Sequence, residues 1–229
     1  MIAQQQLSAE PATRERILRT AFQLFHEQGF HATGVATIGR EAGINPGSLY
    51  HFFASKDQLL LQVLEFALTY LAPAVMEPVE RKTEDPIERV FALLKQYRDG
   101  MVQHGCRLGC PIGNLALEVS DGDLEARRLI HRNFENWAAR VEGWLLQAGD
   151  RLPADLNRAN LARFILTVME GGLMQARAAD SLAAFDASVA VLREHLDLLM
   201  ARATAEQIGN RRTRRGHRGA IGKSSRRRG

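Results

Sequence analysis

The chain has 229 residues, 45% of them hydrophobic and 24% charged, with a formal net charge of +4. That length accommodates one large or two modest domains, and the apolar share is ample for a core. Two cysteines give no disulfide framework, and an uninterrupted apolar run of about 18 residues, the mark of a membrane span, is absent. The opening MIAQQQLSAEPATRER has no apolar segment of the secretory type, so a reducing cytoplasm is the expected setting. Charge is unevenly spread. Residues 209–229 hold nine Lys or Arg and no acid, whereas residues 1–208 hold 21 basic against 26 acidic groups, a net −5. The tail GNRRTRRGHRGAIGKSSRRRG has no apolar face, is expected to be disordered, and would add salt-sensitive affinity for phosphates.

In chain order, residues 13–28 place Ile17, Ala21, Phe22, Leu24 and Phe25 on one helical stripe that Gly29 ends. Val35, Ile38 and Ala42 then repeat at i, i+3 and i+7, and Gly43 supplies the left-handed exit of a second, short helix. Asn45 is a good N-cap and Pro46 a good first helical residue. In the third helix Leu49, Phe52 and Phe53 face inward while Ser48, Tyr50 and His51 face out. Helix, short turn and helix in this form predict a helix-turn-helix, whose second helix enters the major groove of DNA. Ser55 and Gln58 fit a capping box that opens a fourth helix running to about Leu71. Phe22, Phe25, Phe30, Ile38, Leu49 and Phe53 are the expected core of this head.

Beyond residue 71 long amphipathic helices follow. Ala72-Pro73 and Glu77-Pro78 interrupt the fourth helix, and Asp85-Pro86 opens a helix to about Val102. GCRLGCPIG at 105–113 is a Gly/Pro-rich break. Helices are expected at 114–119, 122–149, 155–178 and 182–204. The fold class is therefore all-α, in three parts: a head at 11–71, a helical bundle at 72–206 and a basic tail at 207–229.

The string AFQLFHEQGF followed by TIGREAGINPGSLYHFFASKDQLL closely resembles the DNA-binding domain of TetR/AcrR-type regulators. Phe25, Gly29, Phe30, Thr33, Ile38, Ala42, Gly43, Leu49, Tyr50, Phe53, Lys56 and Leu59 carry the likeness. By position, the resemblance implies that Tyr50 and Lys56 bind phosphates and that Thr33 or Gly34 offers backbone N–H groups to another. It also implies that Asn45, Pro46, Gly47, Ser48 and His51 form the groove-facing surface. Two positions depart from the family pattern. Gly39 replaces the usual alanine, which loosens helix 2 by roughly 1 kcal/mol, and Ala36 replaces a frequent polar or basic residue. Direct base readout should then be thin, with shape and thymine methyl contacts contributing more.

GCPIGNLALE, at 109–118, resembles a branch of the family in which such a segment lines a pocket for small organic inducers and in which some members sense electrophiles through a cysteine. Cys110 matches that cysteine, Cys106 is additional, and Arg107 would favour the reactive thiolate; both cysteines also suit a packing role. The expected pocket walls are Leu108, Ile112, Leu115, Phe134, Trp137, Trp144, Phe164, Val168 and Met174, with Asn114, Glu118, Gln175 and Arg177 as polar ends. His104, Cys106 and Cys110 do not have a structural zinc spacing, and neither metal nor cofactor is expected. The last two helices, with Gly171-Gly172 and the stripe Phe185, Val189, Leu192, Leu196 and Leu199, are expected to form a homodimer face.

Together these features predict a homodimeric, ligand-responsive transcriptional regulator. It is expected to be a repressor released from a pseudo-palindromic double-stranded DNA operator by a small organic or electrophilic inducer. An architectural binder driven by the Arg-rich tail is the alternative. HExxH, P-loop, GxSxG and dinucleotide fingerprints are all missing, so no enzyme is expected.

Overall fold

A computed structural model of the chain describes residues 2–119 and 123–224, and no strand occurs among them. Ten α-helices follow in order. They are α1 (Ile2–Gln28), α2 (Val35–Glu41), α3 (Pro46–Phe52), α4 (Lys56–Leu71), α5 (Glu77–Lys82), α6 (Pro86–Gln103), α7 (Pro111–Val119), α8 (Leu124–Gln147), α9 (Arg158–Ala179) and α10 (Ala183–Ser224).

Local chemistry sets the boundaries. Gly43 takes φ +65°, and the Ile44 N–H reaches back to the Gly39 carbonyl at 2.9 Å, so α2 ends in a left-handed cap. The expected capping box opens α4: Ser55 Oγ accepts from the Gln58 N–H at 3.0 Å, and Gln58 Oε1 accepts from the Ala54 N–H at 2.6 Å, one residue earlier than the motif's usual target. Pro73 removes a helical donor after α4, and Ala72–Met76 adopts a π-helical stretch, the geometry in which a helix absorbs an interruption of this kind. Asp85 caps α6, and its Oδ1 accepts from the Ile87 N–H at 2.8 Å.

The head core is as expected at Phe25, Phe30, Ile38, Leu49 and Phe53, all within 5% exposure. Phe22 is half-buried instead and turns toward Phe66 and Tyr70, with ring centroids 6.5 and 5.9 Å away. The stretch 56–82 is long and apolar enough by composition to cross a membrane. Its Leu59, Leu60, Val63, Leu64, Ala67 and Leu71 are nevertheless buried in the common core. Asn133, 2% exposed, locks α8 onto α4 by donating to the Leu64 carbonyl at 3.0 Å.

α7 and α9 begin at Pro111 and Arg158, three residues from expectation, and two boundaries differ by more. The helix beginning α1 starts well before residue 13, and α10 continues to Ser224 where a disordered tail was expected from residue 207. No proline interrupts 207–224, arginine is a good helix former, and elongating a docked helix avoids the nucleation cost. Residues 225–229, and the expected start of α8 at residue 122, lie outside the described residues; Asp123 is the N-cap of α8.

Candidate nucleic-acid interface and ligand cavity

Asn45 caps α3, its side chain accepting from the Gly47 N–H at 3.0 Å, and Pro46 fills the first turn. Fully buried Leu49 and Phe53 pin the helix to the head core. Gly47, Tyr50 and His51 stay exposed on the other side and Ser48 half-buried. Tyr50 is 56% exposed, leaving both its ring and its hydroxyl available to an external partner. Lys56 sits beside this face: its Nζ donates to the His31 carbonyl at 3.4 Å and lies 4.3 Å from the Phe30 ring centroid. Burial lowers the pKa of its ammonium against the opposing pull of Asp57 and Glu118.

Thr33 corrects the expectation. Its side chain is fully buried, and Oγ1 donates to the Gly29 carbonyl at 2.6 Å, with the Leu24 carbonyl a longer acceptor at 3.3 Å. Its N–H is engaged as well, by the Phe30 carbonyl at 3.3 Å. Thr33 therefore closes the α1–α2 corner. Gly34 is the exposed N-cap of α2 and makes no side-chain cap hydrogen bond, so the open donors of that helix start belong to the residues after Thr33.

α7 is bolted to the head. Glu118, expected among the polar ends of a pocket, instead accepts from the His31 N–H at 3.3 Å through Oε2, while its own carbonyl accepts from His31 Nε2 at 3.2 Å. Gly29, at φ +87°, makes room for this: a Cβ there would stand 2.8 Å from Glu118 Oε1. His26 Nε2 donates to the Gly109 carbonyl at 2.8 Å, and burial pushes its pKa down, which keeps the ring neutral with its proton on Nε2.

The other side of α7 faces a cavity of about 600 Å³ shared with α8 and α9. Leu117, Phe134, Leu173 and Met174 give apolar walls; Cys110, Asn114, Glu170 and Arg177 are the polar side chains. Arg177 Nη1 donates to Asn114 Oδ1 at 3.0 Å. Desolvation lifts the Glu170 pKa to about 7, and its Oε1 is buried with no hydrogen-bond partner. Gly113 leaves the space that this carboxyl occupies, since a Cβ there would run into Glu170 Oε2. Cys110 is 2% exposed and its sulfur accepts from the Gly113 N–H at 3.4 Å. Burial, then the facing Glu170 carboxylate, push its thiol pKa well up, so the expected activation toward thiolate is reversed at this position.

Of the other expected pocket residues, Leu108 lines a separate cavity of about 290 Å³ between the head and α6, bordered also by Phe22, His26 and Tyr97. Ile112, Leu115 and Trp137 are core residues at 1%, 1% and 3% exposure. Cys106, at φ +56°, sits in a polar cleft with His104 and Arg107. Phe164 and Gln175 are exposed and Val168 half-buried, on the side of α9 away from the cavity. Helical phase explains the miss: Glu170, Leu173 and Arg177 share one face at i, i+3 and i+7, and Phe164 and Gln175 fall on another. Glu170 itself went unread, although an acid between Met169 and Gly171 in an apolar stripe was a usable signal.

The two glycines of α9 separate in the same way. Gly172 packs against Phe185 of α10, where a Cβ would lie 2.8 Å from the ring, so its close contact is within the chain; Gly171 has nothing within 4 Å. The stripe expected in the dimer face is internal instead: Phe185, Leu192 and Leu196 are at 2%, 1% and 0% exposure, packed against the chain's own core, whereas Phe164 and Met174 on α9, and Val191 and Leu198 on α10, remain exposed at 47–70%.

Residues 17–63 match the tetR family of bacterial regulatory proteins, and residues 86–191 match the C-terminal domain of LmrA/YxaF-like transcriptional regulators. The chain is 34% identical to the HTH-type transcriptional regulator LmrA of Bacillus subtilis, over 71% of this chain and 85% of the relative. It is 32% identical to the uncharacterized regulator YxaF of the same organism, over 71% and 83%. The crystal structure of a TetR regulatory protein from Rhodobacter sphaeroides superposes with a TM-score of 0.71 at 24% identity, covering 79% of this chain and 97% of that one. A helix-turn-helix head on a helical second domain, joined to these likenesses, makes the chain a member of the TetR family, a transcriptional regulator rather than an enzyme.

Proposed function

We propose that the chain acts as a homodimeric repressor that a small organic molecule releases from a pseudo-palindromic operator. One observation carries the ligand response: residues 109–118, which lead into and form most of α7, line the cavity beside α8 and α9 through Cys110, Asn114 and Leu117 and, through Glu118 and the Gly109 carbonyl, hold His31 and His26 of the head. A ligand that moves α7 moves the α1–α2 corner with it. Release then requires only that the ligand bind the DNA-incompetent arrangement better, and a coupling of about 1–3 kcal/mol shifts operator affinity roughly 5–150-fold. Burial raises the pKa of the Cys110 thiol, which favours an inducer held by the cavity over one that bonds to sulfur. Exposed Phe164 of α9 with Val191 and Leu198 of α10 form the dimer face, which sets the two α3 helices in successive major grooves about 34 Å apart. Gly34, Asn45, Pro46, Gly47, Ser48, Tyr50, His51 and Lys56 form the DNA surface, with Tyr50 and Lys56 on phosphates.

Fluorescence anisotropy with the DNA upstream of the chain's own gene tests this. Saturable binding is expected, weakened by Tyr50→Ala and by Lys56→Ala, the latter lowering the salt slope by about 1. Unchanged affinity for both variants at two salt concentrations refutes the docking.

A further inference from the structure

We propose that Glu170 is the anchoring acceptor of the cavity between α7, α8 and α9, and that this cavity takes a small, largely apolar molecule bearing an O–H or N–H donor. The assignment rests on the ligand-released reading above and gives that ligand a chemical class.

Size and lining come first. A volume of about 600 Å³ lies within the range that encloses a drug-sized molecule, and apolar walls with a few convergent polar groups are the usual composition of such sites. Glu170 is then the anomaly. A carboxyl oxygen that is buried and without a partner is a persistent cost in a folded protein, and buried polar atoms are almost always satisfied. The surroundings maintain the group instead of removing it. Gly113 lacks the side-chain atom that would collide with Oε2, so the carboxyl has a slot on α7. The Cys110 thiol, kept protonated by its burial, faces the same carboxyl and can serve one oxygen only.

Among the described residues no cation pairs with this carboxyl. Arg177 lies on the same face of α9 but two turns on, about 10 Å along the axis, and bonds Asn114. Once ionised, above its pKa of about 7, the carboxyl lacks a hydrogen directed at the lone pairs of its unpartnered oxygen. The last torsion of a glutamate is broad and two-fold, so either oxygen can be turned to an arriving donor. A neutral hydroxyl and an ammonium both supply that hydrogen, and they differ in whether the charge on Glu170 matters.

Three matched probes separate the cases: 4-(1-naphthyl)butan-1-ol, the corresponding butylamine and the methyl ether of the alcohol. Each is titrated into the full chain at about pH 8, where the Glu170 carboxyl is ionised, and followed by calorimetry and naphthalene fluorescence. The alcohol, the amine or both are expected to bind at least tenfold tighter than the ether, which has no donor. Glu170→Met should erase that preference. Glu170→Gln keeps an acceptor without charge, so it retains the preference for the alcohol and loses any preference for the amine. Gly113→Ala, which displaces the carboxyl, should weaken the donor probes more than the ether, and it stands in if the Met variant does not fold. Equal affinity for all three probes, or binding of none, overturns the assignment. Operator binding is scored on the same samples: its retention alongside equal probe affinities sinks only the role of Glu170, whereas its loss in the unmodified chain sinks the regulatory reading beneath it.

Discussion

Thr33→Val separates a structural threonine from a DNA-binding one. Valine matches threonine in shape, so no cavity forms, and what disappears is the hydroxyl that donates to the Gly29 carbonyl at 2.6 Å inside a fully buried corner. Losing a net hydrogen bond contributes about 1 kcal/mol, and leaving a buried carbonyl short of its partner brings the total to roughly 2 kcal/mol. For a chain of this length each kcal/mol moves the melting temperature by about 2–4 °C, so a drop of roughly 4–8 °C is expected by differential scanning calorimetry. Operator affinity measured well below the transition should stay within about twofold of wild type, because the open donors at the start of α2 follow Thr33. An unchanged melting temperature together with weakened DNA binding would refute the structural role and place the Thr33 hydroxyl on DNA.

Iodoacetamide at pH 8 should alkylate Cys106 well before Cys110, as read by peptide mass spectrometry, because Cys110 is 2% exposed and its thiol pKa is raised; equal labelling in the folded protein contradicts the protonated, buried thiol. Glu170 titrates near 7 when folded but in the ordinary carboxylate range when unfolded. The folded state therefore holds the extra proton between pH 4.5 and 7, and the contribution of Glu170 to stability falls as pH rises across that window. The ligand-free wild type should lose stability relative to Glu170→Gln by up to roughly 3 kcal/mol from pH 4.5 to above 7 in urea titrations; parallel pH profiles would show that the carboxyl is solvated.

The head was legible because its signals are local. Asn45, Ser55 and Gln58 bond backbone groups two to four residues away, Gly43 takes a left-handed φ at the end of α2, and Pro46 opens α3. Thr33 misled because one position serves either a carbonyl within the corner or a phosphate outside it, and sequence carries no burial. Cys110, Asn114, Phe134 and Arg177 line the cavity, whereas Glu170 lines it unread and Phe164 faces away, because the rotation of α9 about its axis is set by tertiary packing, the close approach of Gly172 to Phe185 included. The long-range partners of Glu118 were illegible for the same reason: His31 is 87 residues away, and no periodicity links them. The length of α10 was underread because absence of an apolar face removes a reason to dock and leaves helix propensity intact.

The double attachment of α7 has an evolutionary corollary. Substitutions at Cys110, Gly113 or Asn114 that retune the chemical taste of the chamber also tug on His26 and His31, so they threaten the affinity of the reader for its promoter. Phe134, Leu173 and Met174 carry no such tether. Divergence toward new inducers should accumulate on those two walls first, leaving the hinge-like segment comparatively frozen.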